Sequence, residues 1–174
     1  ISDVEILKSL PKRELVCGYA EILKHSLILK NNFFKWLQKY SAQILVNKDS
    51  NFLKEAIIRS CRVKIYFVNK DVDEKNIRMI LNFGHTFAHA IEVENNYSKK
   101  INHGEAVIIG IMMAVKLSYI KKICNLKTLT QLKKIYQYND LKYDVKKIFK
   151  NSQYNRIIDH MINDKKNNDS KINF

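Results

Sequence analysis

A single all-helical (all-α) domain is what this sequence predicts, and three observations predict it. Glycine and proline are scarce, four and one in 174 residues, so little interrupts the chain. Apolar residues recur at steps of three and four, while the strict alternation of a half-buried strand is nearly absent. An apolar fraction of 46% beside a charged fraction of 28% is that of a soluble globular chain, long enough for one proper core. No internal repeat or low-complexity linker divides it.

Taken in order, Ser9-Leu10-Pro11 with Glu14 behind it reads as the start of a first helix. Proline suits the first helical position and a carboxylate the first turn. This helix is expected to reach about Ile28 and to carry Glu21 and Lys24, three residues apart, on one face. A second, aromatic-rich helix covers about Phe33 to Val46. Asp49 or Ser50 then caps a long helix through about Val68, whose core face is read as Ile57, Ile58, Cys61, Ile65 and Val68. Lys64 stands within it, and the charged link Asn69 to Lys75 follows.

The stretch Arg78 to Glu92, RMILNFGHTFAHAIE, is the most informative in the chain. Arg78, Asn82, His85, His89 and Glu92 follow one another at steps of four, three, four and three, which a helix gathers on one face. Read as a strand the pattern fails, since His85 and His89 would share a face with Leu81, Phe83 and Phe87. A helix apolar on most of its circumference is a buried one, and each buried polar group without a partner costs roughly 2–7 kcal/mol. A metal, a ligand or partners elsewhere in the chain must therefore satisfy this stripe. Gly84 stands mid-pattern. It either lets another backbone or a ligand come close, or breaks the helix into a loop followed by a helix from about His85.

Val93 to Asn102 reads as a largely polar loop. His103-Gly104-Glu105 opens a long helix to about Cys124 whose first half, AVIIGIMMAV, is apolar all round and so belongs in the core. The segment Leu126 to Lys166 gives two or three shorter amphipathic helices. Asp164-Lys165-Lys166 ends them, and a short β segment is expected at Lys171 to Phe174.

A net charge of +14 invites a nucleic-acid reading, but the charge is mostly lysine spread along the chain, with five arginines. A lysine and asparagine excess is what an AT-rich genome imposes on tolerant surface positions, so no nucleic-acid partner is expected. The same field would favour a phosphorylated, carboxylated small substrate. The longest apolar run, Ala106 to Val115, is too short for a membrane span, and no basic-then-apolar leader opens the chain. Three cysteines, Cys17, Cys61 and Cys124, have no paired spacing and point to a reduced, cytoplasmic setting.

Three candidate metal ligands sit on three different elements: Glu21, His85 and His103. Two imidazoles and a carboxylate suit zinc, and three protein ligands leave a position open for catalysis. Spacing alone leaves two pairings open, His85 with His89 and His85 with His103. His25 and His160 have no partner at useful spacing and read as structural or surface residues.

Four segments resemble the C-terminal half of the 3-dehydroquinate synthase family, sugar-phosphate cyclases of the shikimate pathway of aromatic amino-acid biosynthesis. They are LPKRELVCGYAEILKHSLI from Leu10; KIYFVNKD from Lys64, continuing through Glu74 into IRMILNFGHTFAHAIE; HGEAVIIGIMMA from His103; and DKKNNDSKINF at the end. The pair LNFGHTFAHAIE and HGEAV is a specific signature. The resemblance implies that family's α-helical C-terminal domain over residues 1–174. It also implies a lyase reaction that converts 3-deoxy-D-arabino-heptulosonate 7-phosphate into 3-dehydroquinate and phosphate, with transient oxidation by NAD.

Position by position, the resemblance assigns zinc (or cobalt) to Glu21, His85 and His103, the two histidines also facing the substrate. It assigns substrate contacts to Lys24, Lys64, Arg78, Asn82 and one of Lys165 and Lys166, and proton transfer to Glu74 and His89. Ile6, Leu7, Lys8 and Ser9, together with Cys17, lie where the family touches NAD, with ILKS in place of its more usual FLET-like run. The family's N-terminal α/β domain, which holds most of the NAD site, has no counterpart here, since no glycine-rich strand-turn-helix pattern occurs. This polypeptide alone is therefore expected neither to bind NAD tightly nor to turn over, and the whole enzyme is expected to be a homodimer. Two further readings stand beside this one: another cyclase or metal-dependent alcohol or glycerol dehydrogenase on the same plan, and a basic helical module that binds nucleic acid or a partner helix.

Overall fold

A computed structural model describes residues 3–29 and 32–163. Among them are eight helices and no strand: α1 Lys12–Ile28, α2 Phe33–Leu45, α3 Ser50–Lys70, α4 His85–Glu94, α5 His103–Ile120, α6 Leu126–Tyr138, α7 Val145–Ile148 and α8 Asn151–Ile162. Two 3-10 turns, Val4–Ser9 and Ile77–Asn82, precede α1 and α4. Lys165, Lys166 and the β segment expected at Lys171 to Phe174 lie outside the described residues.

Helix α5 is the axis. Ala106, Val107, Ile108, Ile109, Ile111 and Met112 are each at most 1% exposed, so the first half of the helix is enclosed, as its uniform apolarity predicts, while Ile120 at its end is 72% exposed. By length and composition it could cross a membrane, and 56% of it is buried inside the domain. α1, α4 and α6 pack against it, α2 and α3 back α1, and α8 covers α4. The Tyr136 hydroxyl on α6 donates to Ile108 O at 2.7 Å, which satisfies a phenol buried in the core.

The helix ends follow from the chain's own caps. Asp49 accepts from the backbone N–H groups of Asn51 and Phe52 and opens α3. Asn102 and Glu105 form a reciprocal capping box at the start of α5. Arg13 at the start of α1 grips Glu105 with Nε at 2.9 Å and Nη2 at 2.6 Å, so the box is tied to a second helix.

Two expectations are corrected. The central stretch is not one helix: it is a 3-10 turn, then Gly84 in the left-handed region at φ 81°, then α4 from His85, which was the alternative reading of Gly84. The core face of α3 is Leu53, Ala56, Ser60, Val63 and Phe67, while Cys61 is exposed and Ile65 is 55% exposed. Apolar residues stand on two adjacent stripes of this helix, and the stripe that turns inward contains Ser60, which hydrogen-bonds buried His25 Nδ1 at 2.7 Å. Counting apolar residues alone misses an inward serine that has a polar partner on α1.

Candidate metal centre

Two close approaches of backbone build the site. α1 and α5 meet at Cys17 and Gly104, where a methyl carbon added to the glycine would come 2.2 Å from Cys17 Cα. α4 and α5 meet at Gly84 and Gly110, where a carbon added to Gly110 would come 2.2 Å from Gly84 O. No side chain larger than hydrogen fits either contact. Each contact carries a histidine with it, since His103 precedes Gly104 and His85 follows Gly84, and Glu21 lies one turn beyond Cys17. The glycines therefore bring three elements of distant sequence to one point.

One ligand atom from each of Glu21, His85 and His103 lies within 4.8 Å of the others. His85 Nε2 is 3.4 Å from Glu21 Oε1, and the two imidazole centroids are 5.8 Å apart. Lys24, 4% exposed, donates to Glu21 Oε2 at 2.6 Å. Glu21 Oε1 is buried and accepts no hydrogen bond from a described residue. Burial opposes charge on Glu21, but His85 and Lys24 outweigh it and hold the carboxyl at about 2. An ionised carboxylate with one oxygen unspent, facing imidazoles, is a donor set that a divalent ion fits. The imidazole Nδ1 atoms are taken up elsewhere: that of His103 lies 2.9 Å from Glu92 Oε1, and that of His85 lies 3.5 Å from Phe83 O.

Of the two pairings that spacing left open, the cluster takes His85 with His103. His89 stands beside it on α4, its ring edge-on to His85 with centroids 5.6 Å apart. Glu74, Arg78 and Asn82 form a second group: Asn82 Nδ2 donates to Glu74 Oε1 at 2.8 Å and Arg78 Nη2 lies 3.7 Å from Glu74 Oε2. Asp71 organises that loop by accepting the backbone N–H groups of Lys75, Asn76 and Arg78, and Glu74 is held at φ 56°. Lys64 is exposed on α3, and its charge reaches buried His25.

Ile6, Leu7, Lys8 and Ser9 lie on the first 3-10 turn. Lys8 pairs with Glu5 at 2.7 Å and the Ser9 hydroxyl donates to Ile6 O. Leu7 lines a cavity of about 240 Å³ that also reaches Gly18, Glu21, Ile57 and Cys61. Cys17 is half-buried against Gly104, and burial pushes its thiol pKa up. His25 and His160, without a partner at useful spacing in the sequence, both have one across the fold: Ser60 for His25, and Glu94, whose Oε2 lies 3.4 Å from His160 Nε2. Sequence reasoning missed Glu92 as the partner of His103 and Asp71 as the centre of the loop. For Glu92 a signal existed, since it lies seven residues beyond His85 on the same polar stripe.

Fold and cluster together define an all-helical domain bearing a two-imidazole, one-carboxylate cluster of the kind suited to a divalent metal. Residues 18–167 match the family model described as 3-dehydroquinate synthase C-terminal. The chain is 49% identical over 172 residues to a 3-dehydroquinate synthase of Pelagibacter ubique, and 33% identical over 176 residues to one of Rhodospirillum rubrum. These alignments take in 99% and 100% of this chain. The chain belongs to the 3-dehydroquinate synthase C-terminal family. It spans 46% of the length of each of these two relatives.

Solved structures agree on the fold. A 2-epi-5-epi-valiolone synthase from Streptomyces hygroscopicus, with NAD+ and Zn2+ bound, superposes with a TM-score of 0.77 at 20% identity, over 91% of this chain and 43% of that one. A 2-deoxy-scyllo-inosose synthase complexed with carbaglucose-6-phosphate, NAD+ and Co2+ superposes with a TM-score of 0.75 at 24% identity, over 99% of this chain and 45% of that one.

Proposed function

We propose that this chain is the metal- and substrate-binding domain of a 3-dehydroquinate synthase, a lyase that converts 3-deoxy-D-arabino-heptulosonate 7-phosphate into 3-dehydroquinate and phosphate. One observation carries the reading: an unspent Glu21 oxygen faces His85, with His103 alongside, in a chain 49% identical to such an enzyme. Lys24 holds Glu21 Oε2, so that Oε1 is left for the ion. Zinc or cobalt, when bound, supplies a Lewis acid that lowers the pKa of a substrate hydroxyl. Lys24, Lys64, Arg78 and Asn82, with one of Lys165 and Lys166, hold the phosphate and carboxylate of the substrate. A planar guanidinium and ammonium groups suit those anions. Glu74 and His89 move protons, and an imidazole's ordinary pKa of about 6.5 suits that work near neutrality.

NAD is bound mostly by an α/β domain outside these residues, a division supported by relatives about twice as long. The 3-10 turn of Ile6 to Ser9, with its cavity reaching Glu21, and Cys17 supply the contacts from this side. The whole enzyme is read as a cytoplasmic homodimer, in keeping with three cysteines that form no disulfide.

The test is complementation. The chain is mixed with, or fused to, the N-terminal half of the Pelagibacter ubique relative, and phosphate release from the heptulosonate is followed with NAD and Zn2+. The chain alone is expected to be silent, the completed enzyme active, and the completed His85→Ala enzyme silent. Phosphate release by the chain alone would overturn the division between domains, and turnover of a different sugar phosphate in its place would move the reading to another cyclase.

A further inference from the structure

His103 is the most exposed member of the metal cluster, its side chain 51% exposed. An imidazole so placed samples several orientations and both neutral tautomers unless its second nitrogen is held. Glu92 holds it. The carboxylate lies at 2.9 Å from His103 Nδ1 and is 14% exposed, so the less mobile member of the pair is the acceptor. With Nδ1 carrying the proton toward Glu92, Nε2 keeps the free lone pair.

The backbone under His103 is fixed independently. Asn102 and Glu105 form the capping box on either side of it, and Arg13 clamps Glu105 from α1. Glu92 is on α4, seven residues from His85, so one helix supplies both a ligand and the hold on the other histidine. His85 has a backbone carbonyl in the corresponding place, Phe83 O at 3.5 Å, a much weaker hold than a carboxylate.

We infer that Glu92 is a positioning residue of the metal centre, which fixes the tautomer and ring orientation of His103 as a ligand. This rests on the reading of Glu21, His85 and His103 as a metal site. Outer-shell partners of this kind are worth about 10- to 100-fold in metal affinity.

The experiment titrates Co2+ into the 174-residue chain and its Glu92→Leu, Glu92→Gln and His85→Ala variants, following visible d–d absorption and the metal-free melting temperature. Expected are a Co2+ spectrum in the wild type, about 10- to 100-fold weaker binding with an altered band in Glu92→Leu, and a smaller loss in Glu92→Gln, whose amide oxygen still accepts from Nδ1. The metal-free melting temperatures of wild type and Glu92→Gln should agree. If Glu92→Leu does not fold, Glu92→Gln decides: weaker binding with a shifted band supports the inference, and an unchanged titration and band overturn it. Wild-type binding with both Glu92 variants indistinguishable from it overturns this inference and leaves the metal site standing. A wild type that takes up no Co2+, or does so equally well as His85→Ala, overturns the metal reading and this inference with it.

Discussion

Two carboxylates in this domain are both held at about 2, and they are held for different ends. Glu94, at the end of α4, has a side chain 4% exposed, and its oxygens are all engaged. Arg156 reaches Oε1 at 2.6 Å and Oε2 at 3.1 Å, Gln153 donates to Oε1 at 2.9 Å, and His160 lies against Oε2. That group is a staple between α4 and α8. Glu21 likewise has a basic side chain, Lys24, and an imidazole, His85, beside it, yet one of its oxygens accepts nothing from a described residue. Residue type does not separate a structural cluster from a candidate binding cluster here. The unspent lone pair does, together with the absence, among the described residues, of a guanidinium fork to consume it.

The sharpest way to break this comparison is to remove one acid from each cluster and titrate metal. Glu21→Gln should weaken Co2+ uptake at least about 100-fold, more than an outer-shell loss would. Glu94→Gln should leave uptake within about twofold, since additivity holds between clusters without shared partners. Equal losses in the two variants would show that the distinction drawn from the lone pair is empty.

Stability should reverse the order of emphasis. Glu94→Gln gives up charge-assisted bonds to a guanidinium that is itself 58% exposed, so the cost is set at about 1–2 kcal/mol after allowing for solvent. Thermal melts of the metal-free chain would show it, and Arg156→Gln should lower the melting temperature in the same direction. Both carboxyls are depressed from 4.5 to about 2, so their contribution is complete above about 4.5 and is lost as pH falls toward 2. In an acid titration Glu94→Gln should flatten that window, and saturating Zn2+ at neutral pH should raise the melting temperature of wild type and Glu94→Gln alike.

Much of this was legible in the sequence, for local reasons. Pro11, Asp49 and the apolar run of α5 are signals a helix reads within one or two turns, so those boundaries came within a few residues. The polar stripe from His85 to Glu92 was legible as a stripe that needed partners. What satisfied it was not, because the partner of Glu92 lies on another helix and spacing along a chain carries no distance across a fold. The choice of His103 over His89 came from resemblance to a family and not from periodicity. The inward face of α3 was misread for the same reason as Glu92: a buried serine and histidine choose each other across helices.

That buried pair supplies the smallest effect and the cleanest sign. His25 is 6% exposed; burial, and then the charge of Lys24 beside it, push its pKa down from 6.5 to about 4. The unfolded chain therefore takes up a proton between pH 6.5 and 4 that the folded one refuses, and stability falls as pH falls through that window. Glu21 and Glu94 do not contribute until lower pH, so of these three groups His25 is the first to lose stability on acidification. His25→Gln keeps a polar group for Ser60 but cannot titrate. It should cost about 0.5–1 kcal/mol at pH 7, the worth of an imperfectly replaced hydrogen bond, while making denaturant midpoints nearly flat between pH 6.5 and 5. Metal uptake at pH 7 should stay within about twofold, because the imidazole is already neutral there and its loss changes no charge beside Glu21. A variant as pH-sensitive as the wild type in that window would move the early acid loss to another group, and with it the claim that α1 and α3 are joined through a neutral histidine.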